Sequence, residues 1–187
     1  MSIDTKQTIM DAARAMVQAR GYNGLSFREL AKEVGVKSAS IHYYFPTKGD
    51  LGAALARRYT DEAVDVFDGF LAASQDLGTC IRKYTDVFRS ALSNNNRMCL
   101  CGIMAAEHDH LPAEVRVEVD RFTDVNIQWL VKLLSRGKSK AATDAVRQRA
   151  LAIFAAVEGA QLVARGRGDI AVYDDAIEAY RTAGLLP

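Results

Sequence analysis

Residues 26–45, "SFRELAKEVGVKSASIHYYF", constrain the fold more than any other part of the sequence. Ser26 followed three residues later by Glu29 is the pattern of a capping box, which begins a helix. Gly35 predicts the end of that helix, because glycine readily adopts the left-handed conformation that follows a last turn. A second helix comes next, and it must be short because Pro46 disfavours its continuation. The segment therefore predicts two helices joined by a tight glycine turn.

The second of these helices has an unusual composition. Ile41 and Phe45 are four residues apart and so share one helical face, which predicts that both point into a core. The rest of the helix carries serines, a histidine and two adjacent tyrosines. A capped helix, a glycine turn and a short helix with a polar outer face form a helix-turn-helix, whose second helix enters the DNA major groove. Short side chains there let the backbone approach DNA, and histidine or tyrosine offer hydrogen bonds to bases and phosphates.

The remaining sequence also predicts helices, and no alternating β-branched run predicts a strand. Thr47 and Asp50 predict the start of a long helix, whose inward positions include Leu51, Leu55 and Val66. Breaks at "SNNN", "DHLP", "SRGKSK" and "RGRGD" separate the later segments. We predict an all-α fold of about nine helices, over residues 4–20, 26–34, 37–45, 48–74, 77–93, 97–108, 112–136, 141–166 and 169–184.

Charge and cysteine content narrow the class of protein. The net charge is +1, but residues 1–60 carry nine basic and five acidic side chains, an excess that suits a polyanionic partner. The longest apolar run, residues 151–157, is far shorter than the roughly 20 residues of a membrane span. The first residues lack the apolar core of a signal peptide. Three cysteines without a framework spacing fit a reducing compartment, so we expect a cytoplasmic protein without a membrane partner.

Within residues 9–51, the stretch "ARGYNGLSFRELAKEVGVKSASIHYYFPTKGDL" resembles the DNA-binding head of the tetracycline-repressor (TetR) family. The family pattern is a glycine–aromatic pair, a Ser or Thr cap, a Gly-Val turn, an aromatic-rich reading helix ending in Phe, then Lys and Leu. The matching residues are Gly21, Tyr22, Ser26, Leu30, Ala31, Gly35, Val36, Tyr43, Tyr44, Phe45, Lys48 and Leu51. His42 and Ala39 depart from the tyrosine usual and the glycine frequent at those positions in the family.

The resemblance implies a helix-turn-helix DNA-binding domain over residues 1–47 and a helical effector-binding and dimerisation domain over residues 48–187. It implies a dimeric regulator, typically a repressor of a palindromic operator that a small-molecule effector releases. The implied base-edge contacts are Arg28, Lys37, Ser38, Ala39, Ser40 and His42, and the implied phosphate contacts are Tyr43, Tyr44 and Lys48. No cofactor is expected.

The resemblance also implies a dimer interface in the last two helices and an effector pocket in the central region. Small residues that recur every four positions let another helix approach closely, although an ordinary core helix would show them too. The candidate dimer residues are Ala152, Ala156, Gly159, Ala160 and Ala164. The candidate pocket residues, which a plain helical core would also explain, are Tyr84, Phe88, Cys99, Cys101, Met104, His108, Phe122 and Trp129.

Residues 94–112, "NNNRMCLCGIMAAEHDHLP", leave a thiol-based function open. If Asn96 caps a helix, Cys99 lies in its first turn beside Arg97, where the helix dipole and the cation favour a reactive thiolate. The alternative is that Cys99 and Cys101 are small buried hydrophobic side chains. A thiol-reactive sensor of oxidants or electrophiles on the same fold therefore stays open, as does a constitutive DNA-binding protein without an effector.

A metal site and an enzyme are both disfavoured by the sequence. Cys101, His108 and His110 have ligand chemistry, but the acids Glu107 and Asp109 beside the two histidines fit a solvated helix end better. We expect no metal. No nucleophile–base arrangement, phosphate-binding glycine loop or HExxH motif suggests catalysis.

Overall fold

A computed structural model of the chain describes residues 3–136 and 144–187. Within these ranges the chain forms nine α-helices and no strand, which confirms the predicted all-α fold. The helices are α1 Ile3–Arg20, α2 Phe27–Val34, α3 Ser38–Tyr44, α4 Lys48–Ala73, α5 Leu77–Ser93, α6 Leu100–Ala105, α7 Ala113–Leu134, α8 Asp144–Arg167 and α9 Ala171–Thr182, with a 3-10 turn at His108–His110. None of the described helices combines the length and apolarity that a membrane crossing requires. Residues 141–143, where the eighth helix was predicted to begin, lie outside the described residues.

The described residues form two compact units. The first contains the residues up to Asp61 together with Leu100–Phe122, and the second contains Glu62–Cys99 together with the described residues from Thr123 onward. Helices α4 and α7 therefore contribute residues to both units. The predicted boundary between functional domains after residue 47 is a different division of the chain, and it stays a prediction.

Side-chain caps begin two helices of the first unit. The Oγ of Ser26 accepts the backbone N–H of Glu29 at 3.4 Å, as predicted. Glu29 does not complete the capping box, because its carboxylate accepts a hydrogen bond from Arg20 at 2.8 Å instead. At the start of α4 the box is complete. The Thr47 N–H donates to the Asp50 carboxylate, and the Asp50 N–H donates to the Thr47 hydroxyl, both at 3.0 Å.

Buried apolar side chains hold α3 in the first unit. Ile41 is fully buried and Phe45 is 3% exposed, which confirms that both point inward. Val17 of α1 and Leu30 of α2 belong to the same fully buried set. Gly35 has the left-handed φ of 74° that the turn between α2 and α3 requires. Helix α3 is thus anchored on one side, and its other side carries exposed polar residues.

An aromatic cluster lies at the centre of the second unit. Trp129 of α7 stacks on Tyr84 of α5, with ring centroids 5.2 Å apart and planes 14° apart. Phe67 of α4 contacts both rings at 5.2 Å, and its carbonyl accepts the indole N–H of Trp129 at 2.9 Å. The prediction that Val66 points inward is wrong, since that side chain is 44% exposed. The buried face of α4 there lies one residue later than the spacing from Leu55 suggested.

The segment before α6 also differs from its prediction. Asn95 and Asn96 adopt left-handed φ angles of 58° and 53°, a conformation that asparagine tolerates better than most residues. The three asparagines therefore form a turn and not a helix cap, and α6 covers only Leu100–Ala105 of the predicted 97–108. Cys99 precedes this short helix, so the prediction that it lies in the first turn is wrong.

Candidate nucleic-acid interface and effector region

The outer face of α3 presents the predicted DNA-contacting side chains to solvent. Arg28, Lys37, Ser38, Ala39, His42 and Tyr43 are exposed, and Ser40, Tyr44 and Lys48 are half-buried. Tyr43 is 74% exposed, and its ring meets that of Tyr44 edge-on at 5.2 Å. A tyrosine this exposed contributes little to a core, so its hydroxyl is available to a partner.

Two contacts hold the imidazole ring of His42. Its Nδ1 lies 3.2 Å from the carbonyl oxygen of Pro46. A carbonyl only accepts, so the proton resides on Nδ1 and the neutral ring keeps a lone pair on Nε2. The ring also meets Phe27 edge-on at 4.9 Å. The exposed Nε2 of this tautomer is therefore a hydrogen-bond acceptor on the outer face of α3.

Lys48 begins α4 and contacts the turn between α1 and α2. Its Nζ donates to the carbonyl of Asn23 at 3.3 Å and lies 4.6 Å from the centre of the Tyr22 ring. Partial burial lowers the pKa of Lys48, and the charge of Glu107 opposes that change. Burial and the charge of Glu114 raise the pKa of Tyr22 to about 12, so its phenol is neutral. The ammonium is thus positioned at a helix N-terminus, where an anion is favoured.

Glu107 organises the same turn, and the sequence analysis missed it. Its carboxylate accepts the backbone N–H groups of Tyr22 at 2.5 Å and Asn23 at 3.2 Å, and the side-chain N–H of Asn23 at 3.2 Å. Gly21 allows this approach, because a Cβ there would lie 2.6 Å from a carboxylate oxygen of Glu107. Glu107 is half-buried, whereas His108, Asp109 and His110 after it are exposed, so the segment is a solvated helix end from which Glu107 reaches the turn.

The candidate pocket residues of the first unit do not share one environment. Cys101 and Met104 of α6 are buried, as is Phe122 of α7. His108 is exposed, with Nδ1 3.3 Å from the carboxylate of Asp109. Across residues 3–136 and 144–187, no three or more His, Cys, Asp or Glu side chains are grouped to hold a metal ion.

Buried polar side chains surround the aromatic cluster of the second unit. The Tyr84 hydroxyl donates to the Asn126 side chain at 2.9 Å. Gln161 accepts the backbone N–H of Cys99 at 2.9 Å and donates to the carbonyl of Phe88 at 2.6 Å. Both amides are fully buried, which requires such partners. Four predicted pocket residues lie in this unit: Tyr84, Phe88, Cys99 and Trp129.

An open groove of about 170 Å³ lies between α4 and α7 in the second unit. Its lining residues are Val64, Phe67, Asp68, Val125, Gln128, Trp129 and Lys132. At its edge, the Nζ of Lys132 pairs with the carboxylate of Asp68 at 3.2 Å. Because Phe67 and Trp129 also pack against Tyr84, the groove and the aromatic cluster share a wall.

Glu158 of α8 is a buried acid in the second unit. Both carboxyl oxygens are shielded from solvent, and neither has a hydrogen-bond partner of good geometry among the described residues. Burial raises the pKa of this carboxyl to about 7, and the weakly donating thiol of Cys99 partly offsets the rise. Burial, and then nearby charges that include Glu158, raise the pKa values of Tyr84 and Tyr173. A lone acid within the apolar stretch "LAIFAAVEGAQLVA" was the sequence signal for this group.

Comparison with known proteins identifies the chain. The family model described as bacterial regulatory proteins, tetR family, matches residues 9–55. The crystal structure of a TetR transcriptional regulator from Legionella pneumophila is 30% identical, with 98% of each chain covered and a TM-score of 0.90. The chain belongs to the TetR family of transcriptional regulators.

Two further relatives agree with this assignment. A TetR-family transcriptional regulator from Agrobacterium tumefaciens is 29% identical, covers 92% of this chain and 93% of its own, and has a TM-score of 0.85. The HTH-type nicotine-responsive transcriptional repressor HdnoR of Paenarthrobacter nicotinovorans is 23% identical over 165 residues, which are 86% of this chain and 84% of its own length. As a TetR regulator, the protein binds DNA through its N-terminal helix-turn-helix and is not an enzyme.

TetR regulators act as dimers, and the predicted dimer residues of this one lie on two faces of α8. Ala160 and Ala164 are buried within the protomer, whereas Ala152 is exposed and Ala156 and Gly159 are half-buried. Three large apolar side chains of α8 are more than half exposed: Leu151, Leu162 and Val163. Helix α8 therefore has an exposed apolar face in this TetR chain. The alanine pattern in the sequence did not predict the large apolar side chains of that face.

Proposed function

We propose that this TetR regulator is a dimeric repressor that binds a palindromic operator and releases it when a small-molecule effector binds. The observation that carries the proposal is the accessible polar face of α3, anchored from behind by Ile41 and Phe45. Two such helices in a two-fold dimer would enter successive major grooves about 34–36 Å apart. The repressor assignment is supported by HdnoR, whose name describes a nicotine-responsive repressor. A role on DNA also suits the expected cytoplasmic location.

The contacts with DNA divide between sequence reading and positioning. Six residues are assigned to base edges: Arg28, Lys37, Ser38, Ala39, Ser40 and His42. Tyr43, Tyr44 and Lys48 are assigned to phosphates, which hold the protein on the duplex without reading its sequence. The lone pair of His42 Nε2 supports the first role, and the ammonium of Lys48 at the start of α4 supports the second.

Substitution of His42 and Lys48 tests the division directly. Duplexes selected from random DNA by the purified protein would supply the matched site, and a scrambled duplex would serve as the control. We expect His42→Ala to cost ~1–3 kcal/mol on the matched duplex only. Lys48→Ala should weaken binding to both duplexes and reduce the slope of log affinity against log salt by about one. Equal losses for both variants on both duplexes would refute the assigned roles.

The apolar face of α8 supports a dimer through α8 and α9. Leu151, Leu162 and Val163 would lose their exposed apolar area when a second copy covers them, which favours association. We expect Leu162→Glu to give monomers in light scattering, because a carboxylate in such an interface is desolvated without a partner. Val117→Glu makes the same change at a 65% exposed valine of α7 and should leave the dimer intact. Dimers of equal stability in both variants would remove this interface.

Effector release requires that ligand binding change the affinity for DNA. Helix α4 contributes to both compact units, so a ligand that shifts it would alter the spacing of the two reading helices. A coupling of ~1–3 kcal/mol gives a 5–150-fold change in DNA affinity. If the protein instead binds DNA constitutively, no single compound should both shift its thermal midpoint and release it from the duplex. A thermal-shift screen followed by DNA titration separates the two, because a specific ligand stabilises the folded protein by RT ln(1 + [L]/Kd).

A further inference from the structure

The hydrogen bonds around Glu158 leave its carboxyl without a strong donor. Tyr84 and Tyr173 are near enough for the charge of Glu158 to affect their pKa values, yet neither hydroxyl proton serves it. The Tyr84 hydroxyl donates to Asn126 at 2.9 Å, and the Tyr173 hydroxyl donates to the carbonyl of Thr85 at 2.8 Å. Each hydroxyl has one proton, so both tyrosines can offer Glu158 only an acceptor.

Cys99 also contacts this carboxyl, and its thiol is a weak donor. Its backbone N–H is taken by Gln161 at 2.9 Å, so the thiol is the group left to face Glu158. A buried carboxyl is normally satisfied by N–H or O–H donors, because desolvation without them costs several kcal/mol. When it is ionised, the carboxyl is an acceptor, like the two phenol oxygens near it, and the thiol is a weak donor. A ligand that complements this ionised cluster must bring hydrogen-bond donors and positive charge.

The aromatic rings beside this cluster suit the same kind of ligand. Tyr84 stacks on Trp129, and Phe67 contacts both, so the three rings form one closely packed aromatic cluster. Aromatic faces attract ammonium groups and also bury the apolar part of an amine. Phe67 and Trp129 also line the open groove between α4 and α7, so the cluster borders a space that a ligand can enter.

We propose that Glu158 is the recognition group for the effector, and that the effector is a small organic amine whose protonated nitrogen binds the carboxylate while its apolar part packs on Phe67 and Trp129. This inference rests on the proposed ligand-responsive function. An ammonium supplies both the donors and the charge that the cluster lacks. A neutral ligand of the same shape leaves the carboxylate uncompensated, and an anionic one is repelled by it. The site therefore selects by charge.

The test compares amines with neutral analogues on the full-length protein. Benzylamine and 2-phenylethylamine are titrated against benzyl alcohol, with the thermal midpoint and the fluorescence of the single tryptophan, Trp129, as readouts. We expect saturable fluorescence changes and raised midpoints with the amines and none with the alcohol. Glu158→Gln should weaken amine binding about tenfold or more, because it removes a charge-assisted hydrogen bond. Glu178→Gln, which changes an exposed acid of α9, should leave amine binding unchanged.

The outcomes separate this inference from the proposed function. Three results would overturn the inference. Benzyl alcohol could bind as tightly as the amines, or Glu158→Gln could bind the amines as tightly as the parent does. The third is that neither amine binds. The ligand-free midpoint of Glu158→Gln, expected at or above that of the parent, checks that the variant folds. If a neutral or anionic compound releases DNA while the amines do not, the cation assignment is wrong and the ligand-responsive repressor remains. If amines bind through Glu158 but no duplex is ever bound, the repressor proposal fails instead.

Discussion

The DNA-reading head and the interior of the second unit use polar groups in opposite ways. In the head most of the predicted DNA-contacting side chains are exposed to water, and Glu107 accepts the N–H groups of Tyr22 and Asn23 in the neighbouring turn. In the second unit the carboxyl of Glu158 is buried without a strong donor. An exposed group is solvated until its partner arrives, whereas a buried one destabilises the free protein until a ligand satisfies it. In the head, a residue assigned to recognition can therefore be changed without loss of stability. In the second unit, the group proposed for recognition lowers the stability of the free protein.

The largest expected effect distinguishes the buried residues that hold α3 in the head from the exposed residues that are assigned to DNA. Ile41→Ala removes a fully buried side chain of α3 and should lower the free energy of unfolding by about 2–5 kcal/mol, with loss of DNA binding. Tyr43→Ala, at a 74% exposed position of the same helix, should change stability by less than about 0.5 kcal/mol. Urea denaturation measures both. Comparable destabilisation by the two variants would show that Tyr43 is part of the core and that the head does not separate the two roles.

The next effect concerns pH and the buried acid. The folded pKa of Glu158 is about 7 against an ordinary 4.5, so the folded state holds this proton more tightly than the unfolded state. Its contribution to stability is therefore full below about pH 4.5 and falls as the pH rises through about 7, by roughly 3 kcal/mol in all. Tyr84 and Tyr173 stay neutral across this range because their pKa values are raised. Glu158→Gln should remove this loss.

Urea unfolding of parent and variant at pH 5 and pH 8 measures the difference. We expect the stability advantage of Glu158→Gln over the parent to be greater at pH 8 than at pH 5, while all other groups titrate equally in both proteins. The thiol of Cys99 is the weak donor beside the same carboxyl. Cys99→Ala removes that donor and keeps the acid, so it is the matched control and should retain the pH dependence. If the free energy of unfolding of the parent and of Glu158→Gln changed equally with pH, the carboxyl would have adequate hydrogen-bond partners in the folded protein. The contrast with the head would then disappear.

The smallest of the three effects tests how much the Glu107 carboxylate stabilises the turn after α1. Glu107→Ala leaves the N–H groups of Tyr22 and Asn23 without their charged acceptor and should cost about 1.5–3 kcal/mol. The exchange of these two amide hydrogens with solvent should also accelerate, which NMR resolves residue by residue. Asp109→Ala, two positions away and highly exposed, should change neither quantity. Unchanged amide protection in Glu107→Ala would mean that the turn holds its shape without this carboxylate.

Local patterns made the head predictable from the sequence. The Ser26 cap, the left-handed Gly35 and the Thr47–Asp50 box each act over three or four residues, and all three occur as expected. The inward direction of Ile41 likewise follows from spacing within one short helix. Such features depend on the chain close by, so the surrounding fold does not need to be known.

Distant contacts explain what the sequence could not predict. Glu107 meets Tyr22 across 85 residues, and nothing in either local pattern indicates the other. Val66 and Phe67 are both apolar, and the neighbouring helices decide that Phe67 is the buried one. The apolar stretch around Glu158 was its one signal in the sequence, but it could not establish burial, because a single acid in a helix normally faces water. The alanines of α8 marked a close-packed helix, but the pattern alone did not distinguish the inward face from the outward one.

The contact made by Glu107 has a practical consequence for chimaeric regulators. Grafting only residues 1–47 onto a foreign body would transplant the amides of Tyr22 and Asn23 without the carboxylate that receives them. The recipient chain therefore needs an acidic side chain in the equivalent bend after its sixth helix. Without one, the turn after the first grafted helix loses its charged acceptor and becomes less stable. Engineers who exchange operator specificity in this way should therefore move the donor's bend along with its reading helix.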